Sequence, residues 1–334
     1  GFVRTETLQT VGRKRPAELL FGRKKKNMAE RLALKTRNIR DQITHTLLLI
    51  PAVISASFVL FIVIFIVERG VKPFLTSVYG NESVNLIRFL TGNTWYVPPS
   101  TYGVFYIVIN TVYVVFLASF FSVILSVITA LFIARMTTKA IRGFFKTVIE
   151  LLAAIPSIIY GVFGLGVITK FVIWLAGLFG TQTAGGISAL STILVLAIMI
   201  YPTVTLMSVT SIDAVDQNLE KGSLALGATK IQTYFKITLL SAKSGIFSGV
   251  VLGIGRALGE ATAVSMVAGN AGTGPSFNIF STTRTLTSTM LLGLKETSGV
   301  DYDIRFSVGI VLIVVIFLGN AILNHFKKKV GKYS

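Results

Sequence analysis

Cysteine is absent from the 334 residues, which excludes disulfides, thiolate catalysis and thiolate-held metals. Histidine occurs twice, at His45 and His325. Both sit at the margins of apolar runs, where amphipathic side chains anchor, and two do not make a histidine-rich metal centre. Charge is scarce, at 14% of residues against 52% hydrophobic. A soluble domain of this length cannot hide so much apolar surface in one core. The apolar residues fall instead in nearly uncharged runs of about 18 or more, the length a bilayer demands. Acid is the scarcer charge, 14 Asp and Glu against 32 Lys and Arg, for a net charge of +18. In a soluble chain that excess points to nucleic acid. Here it clusters beside the apolar runs, so the expected contact is with anionic lipid headgroups and not with nucleic acid.

Residues 1–40 hold twelve Lys and Arg against three Glu, including the cluster Arg23 to Lys26. They are expected to form a mobile basic tail, ending at about residue 45. No small-residue cleavage site follows the first apolar run, so no cleaved signal peptide is expected. Six spans are expected, over 46–67, within 102–134, and over 147–175, 187–209, 245–268 and 306–325. Together they make an all-α integral membrane domain over 46–326, followed by a short inner tail, 327–334. Pro156 falls inside the third span and is expected to kink it, and Pro202 lies near the inner end of the fourth. The glycines at 245, 249, 253, 255 and 259 of the fifth allow close helix approach in lipid. Segments 69–100 and 270–305 are polar and turn-rich and are expected to face outward. The segments assigned to the inner side hold 24 of the 32 Lys and Arg. That asymmetry places both termini and residues 213–244 in the cytoplasm of a multi-pass plasma-membrane protein. Glu150, one turn after Lys146, is expected to pair with it locally.

Two segments carry functional signals. Residues 253–260 read Gly-Ile-Gly-Arg-Ala-Leu-Gly-Glu. Arg256 and Glu260 are four apart and so share a face of a continuous helix. A charge in mid-membrane costs about 3 kcal/mol on insertion scales, so the two must pair, face a watery cavity, or both. One reading is a self-neutralising ion pair. The other is that Arg256 meets a passing anion, with Glu260 as its resting partner, because the planar guanidinium fork matches phosphate oxygens. The Gly-x-Gly is no nucleotide fingerprint, since no strand precedes it. Residues 219–227 read Leu-Glu-Lys-Gly-Ser-Leu-Ala-Leu-Gly. They are too polar to span and too long for a turn. A short amphipathic helix broken at Gly227 is expected, with Leu219, Leu224 and Leu226 available to a partner's groove or to the chain's own bundle.

The second segment resembles the EAA loop of ABC-importer permeases, in which Glu-Ala-Ala is followed after three residues by Gly and distally by Ile-x-Leu-Pro. Gly227, Ile237 and Leu239 match that spacing. Lys221, Gly222 and Ser223 stand at the Glu-Ala-Ala positions, Glu220 precedes them by one, and Leu240 replaces the proline. Residues 150–161, Glu-Leu-Leu-Ala-Ala-Ile-Pro-Ser-Ile-Ile-Tyr-Gly, resemble the third-helix signature of phosphate-specific (Pst) permeases. Residues 255–270, ending Met-Val-Ala-Gly-Asn, resemble the block that follows their EAA loop. Both lean toward the PstC-type subunit, and the resemblance covers roughly residues 100–325.

The resemblance implies a type I ABC importer permease fold, a second non-identical permease of PstA type, two ATPase subunits of PstB type, an external phosphate-binding protein of PstS type, and inorganic phosphate as cargo. It implies a role in transport for Arg256 and Glu260, and a kinked, pathway-lining role for Pro156, Ser157 and Tyr160. It calls for no cofactor. The chain has no Gly-x-x-x-x-Gly-Lys-Ser/Thr loop with which to hydrolyse ATP itself. Alternatives are a permease for molybdate or sulfate, and a secondary anion transporter. The latter leaves residues 213–244 unexplained and predicts inverted repeats that the sequence does not show. A membrane enzyme lacks any catalytic constellation.

Overall fold

The computed structural model describes the backbone of residues 16–97 and 101–331. The expected tail over 1–15, the Pro98-Pro99 turn and the last residues of the inner tail lie outside the described residues. Two compact units are distinguished, Gly1–Ile64 and Phe65–Ser334.

The first unit is dominated by α1 (Pro16–Val71). This corrects the expectation of a mobile arm as far as residue 45: from Pro16 onward that segment is helical. Its composition accounts for this. Pro16 is suited to the first helical position, and neither glycine nor proline occurs from Arg23 to Ile50, where Ala, Leu, Met, Glu, Gln, Lys and Arg predominate. The side chains of Arg23 to Lys26 lie outside the described residues. Pro51 is accommodated within the helix, as membrane helices permit. Leu47, Leu48, Phe58, Leu60 and Phe61 are exposed, the surface a lipid-facing helix presents.

After α1 the second unit continues with two short helices, α2 (Thr76–Tyr79) and α3 (Leu86–Thr91), and a two-stranded hairpin, β1 (Trp95–Tyr96) and β2 (Thr101–Tyr102). Asn85 caps α3 by accepting from the Ile87 and Arg88 amides. α4 (Phe105–Leu131) follows, then a π-turn at Phe132–Met136, then α5 (Lys139–Ala154). Ile155 and Pro156 are extended (ψ 127° and 141°), so the chain restarts at α6 (Ser157–Phe163). It continues through a second π-turn, Gly164–Ile168, into α7 (Thr169–Leu178). Pro156 therefore breaks the helix where a kink was expected, because proline drives its predecessor out of the helical region. The third span is accordingly Ser157–Leu178 and not 147–175. α5 is a separate amphipathic helix, carrying the expected Lys146–Glu150 pair at 3.9 Å.

After the loop come α8 (Ala189–Asp213), α9 (Gln217–Ala225), α10 (Lys230–Thr233), a third π-turn at Tyr234–Thr238, and α11 (Leu239–Leu258). α12 (Thr262–Val267), α13 (Leu286–Leu291) and α14 (Val300–Gly331) complete the chain. Among the described residues, six helical stretches are long and apolar enough to cross a membrane.

The core sits between α4, α8 and α11. Val114, Val115 and Ala118 of α4 meet Ile193, Leu196, Ile200 and Val204 of α8, with Ala257 and Leu258 of α11 closing the cluster. Lipid is as apolar as these side chains, so the hydrophobic effect does not drive such contacts; close packing and interhelical hydrogen bonds do. Ser126 donates to the Tyr201 carbonyl at 3.1 Å, and Tyr201 to Thr129 at 3.1 Å, tying α4 to α8. Each such bond is worth roughly 0.6 kcal/mol. The α8–α11 seam depends on glycine. A Cβ at Gly249 would stand 2.7 Å from Met207, and one at Gly253 2.8 Å from Val204.

Asp303 of α14 is 1% exposed. It accepts from Tyr79 at 2.6 Å and pairs with Arg69 at 3.4 Å. Burial, with the Asp303 carboxylate beside it, pushes the Tyr79 phenol up to about 12. Arg284 donates to the carbonyls of Asn270 (2.7 Å) and Ala271 (2.9 Å), with its guanidinium 6.0 Å from the centre of the Trp95 ring. Burial pulls it below its ordinary value.

Candidate substrate pathway and coupling site

Arg256 lies in the last turn of α11. Its Nη1 donates to Thr203 Oγ1 on α8 at 3.2 Å. Tyr160 is 6% exposed and donates to the Leu152 carbonyl at 2.6 Å, bridging the break at Pro156 from α6 back to α5. Ser157 opens α6. Pro156 and Ser157 set the turn that positions Tyr160, and among the described residues no hydrogen bond or ion pair joins these three to Arg256. Among the described residues, Thr203 is the one hydrogen-bond partner of Arg256, and a guanidinium has five N–H donors. The unused donors suit a planar or tetrahedral oxyanion.

Glu260 is placed differently from expectation. α11 ends at Leu258 with Gly259 as its cap, so Arg256 and Glu260 do not share a helix face, and among the described residues no ion pair joins them. Glu260 Oε1 instead accepts from the Ala263 amide at 3.0 Å, and its backbone carbonyl accepts from Thr287 at 2.7 Å. The carboxylate satisfies an orphan amide at the start of α12, where negative charge is favoured. That is why the fifth span divides here, and why it runs Lys230–Leu258 rather than 245–268.

The coupling segment is built as expected in outline. Asp216 caps α9 by accepting from the Asn218 amide at 2.9 Å. Gly227 ends it at φ +86°, and its amide donates to Leu224 at 3.0 Å. Only glycine takes that left-handed conformation without penalty. Thr229 and Gln232 form a capping box that starts α10. α9 is exposed around most of its circumference, at Leu219, Lys221, Gly222 and Leu224 among others, and its cap Leu226 is 90% exposed. Glu220 and Ser223 turn inward. Ser223 bonds Thr233 at 2.9 Å. Glu220 Oε1 meets Arg135 Nε at 2.7 Å and Thr238 Oγ1 at 3.0 Å. Ile237 and Leu239 are half-buried in and beside the third π-turn, and Leu239 packs on an apolar cluster with Ile212 and Ala242.

Sequence reading missed Thr203, Arg135 and Asp213. Arg135 also donates to the Ile212 carbonyl at 2.8 Å and pairs with Asp213 at 3.4 Å, while Arg142 of α5 takes the other Asp213 oxygen. Arg135 and Glu220 are 85 residues apart, so no local spacing signals them. The one available hint is that Arg135 is the first cation after a long apolar run.

Several known proteins resemble this chain. Residues 122–332 match the family described as "Binding-protein-dependent transport system inner membrane component". The "Probable ABC transporter permease protein YqgH" of Bacillus subtilis is 32% identical over 306 residues, covering 90% of this chain and 96% of that one. The "Phosphate transport system permease protein PstC" of Pasteurella multocida is 31% identical over 262 residues, 73% of this chain and 82% of that one. Among solved structures, a chain from the crystal structure of a bacterial alginate ABC transporter in complex with an alginate pentasaccharide-bound periplasmic protein has a TM-score of 0.56 at 18% identity. The match covers 87% of this chain and 96% of that one, and it shows a shared fold. The fold, the span count and the match over most of the membrane domain agree: the chain belongs to the family of binding-protein-dependent transport system inner membrane components.

Proposed function

We propose that this chain is a PstC-type permease subunit of an ATP-driven importer and forms half of the membrane pathway for inorganic phosphate. The observation that carries the reading is the similarity to PstC proteins, 31% identical over 73% of the chain, on a structure that holds Arg256 at the α8–α11 seam with one hydrogen bond to Thr203. Arg256 offers its remaining donors to the anion. Glu260 shapes the helix break that leaves the guanidinium at the end of α11 and supplies a negative charge nearby. Tyr160, positioned by Pro156 and Ser157, lines the same region.

ATP is hydrolysed by two separate ATPase subunits. They dock on the exposed face of α9, where Leu219, Leu224 and Leu226 offer the apolar anchors that helix-in-groove binding uses. An external phosphate-binding protein delivers the anion to the outer segments, and a second, non-identical permease of PstA type completes the pathway. The basic inner segments support cytoplasmic termini. Closure of the ATPase pair moves α9 and opens the pathway inward.

The test is phosphate uptake into cells with and without the chain, with ATP depletion as control and sulfate and molybdate as competitors. ATP-dependent uptake of phosphate that excess sulfate or molybdate leaves intact is the expected result. Uptake that either competitor abolishes reassigns the cargo to that oxyanion, and uptake that persists without ATP overturns the importer reading.

A further inference from the structure

Glu220 is the one acid of α9, and it stands one residue before the position where the EAA loop carries its glutamate. That shift is about 100° around a helix, enough to carry a side chain from one face to another. Glu220 faces inward accordingly. Its carboxylate is about one-seventh exposed, as is the Arg135 side chain that meets it at 2.7 Å. The same oxygen accepts from Thr238, which is fully buried. Arg135 in turn holds the carbonyl of Ile212 and the carboxylate of Asp213 at the end of α8, and Arg142 joins α5 to that carboxylate. One small polar cluster therefore fastens α9 to the inner ends of α4, α5, α8 and the helical run that becomes α11.

We propose that Glu220 is a positioning residue for energy coupling. It forms an internal clasp that makes α9 move as one body with the membrane helices, while the exposed remainder of α9 meets the ATPase. This deepens the importer reading above and rests on it. Charge-assisted bonds with little solvent around them are short and directional. A helix tethered by them transmits a push that a helix held only by exposed leucines would absorb. Lys221, at the position of the EAA glutamate, is exposed and belongs to the outward face. In this chain the acid serves the permease body and not the partner.

The test uses the assembled importer, reconstituted with its ATPase subunits and binding protein, and reads two quantities: ATPase subunit retained on purification, and ATP hydrolysed per phosphate imported. Wild type must first show ATP-driven uptake; its failure removes the importer reading and is seen before any variant is made. Glu220→Gln and Thr238→Val are expected to retain the full ATPase complement. The ATP-to-phosphate ratio should rise about tenfold in Glu220→Gln, the factor that loss of one charged hydrogen bond carries, and by less in Thr238→Val. Leu226→Ala, on the outward face, is expected to do the opposite, weakening ATPase retention. A Glu220→Gln permease that reaches the membrane normally but loses its ATPase, or one that keeps the wild-type ratio, overturns the clasp. Where Glu220→Gln does not accumulate, Thr238→Val, which leaves the ion pair in place, decides by the same two readings.

Discussion

Thr203 on α8 accepts a hydrogen bond from Arg256 Nη1 on α11 at 3.2 Å, so the cation proposed to meet the anion is aimed from a neighbouring helix and not from its own. Removing the guanidinium with Arg256→Gln is expected to lower uptake by about ten- to a hundredfold, the range for hydrogen bonds to charged groups, with assembly intact. Thr203→Val is expected to cost less, because it frees the fork without removing it. Since Glu260 is held separately by Ala263, adding Glu260→Gln to Arg256→Gln should not restore transport. Recovery of uptake in the double variant would show a self-neutralising pair. Uptake by vesicles, normalised to purified complex, reads both.

Gly227 at φ +86° leads to a second expectation. Leucine in a left-handed conformation costs about 1–2 kcal/mol, so Gly227→Leu should distort the link between α9 and α10 and reduce ATPase retention. No other atom lies within 4 Å of a Cβ added there, so the effect is conformational and not steric. Gly227→Asn, which tolerates that conformation, should therefore recover most of the retention. Equal damage from both substitutions would point to contact with the partner instead.

Gly249 addresses the seam. Gly249→Val places a branched side chain against Met207 and is expected to destabilise the permease by about 1–3 kcal/mol, as overpacking does. The midpoint of thermal unfolding in detergent should fall, whereas the same change at Gly222, which has open space around it, should leave the α8–α11 seam intact. An unchanged midpoint for Gly249→Val would contradict the close approach of α8 and α11.

Topology is read with introduced cysteines, because the native chain has none. Leu226 is 90% exposed and Phe277 65%. A membrane-impermeant maleimide added to intact cells should label Phe277→Cys and spare Leu226→Cys, and inverted vesicles should reverse the pattern. Labelling of position 226 from outside would invert the proposed orientation.

The spans were legible because each is a long run with few charges, and bilayer thickness alone sets the length required. Helix interruptions were less so. Gly249, Gly253 and Gly259 look alike in sequence. Two of them admit a neighbouring helix and the third ends its own, a difference set by what lies opposite and by Glu260 capping the next helix. Pro156 marks a disturbance in the sequence, but whether proline kinks or breaks depends on whether the segment before it has somewhere else to go. α5 does, since its Lys139, Arg142 and Lys146 suit a membrane surface. Of the site, Arg256 and the exposed leucines of α9 were readable from their residue types. Thr203 and Arg135 were not, because their meaning lies in partners dozens of residues away.

The three π-turns have a consequence for how such chains diverge. Each holds one residue more than a uniform α-helix needs, and one residue is worth roughly 100° of helical phase. The first π-turn carries Arg135 and the third carries Thr238, the two groups that grip Glu220. Deleting one residue from either turn would remove the bulge and displace the gripping side chain from its place against the carboxylate. Residue count in these turns, as much as residue identity, therefore governs whether a related chain closes the clasp. A relative that keeps the arginine and the glutamate but aligns here with a one-residue gap is expected to have lost it.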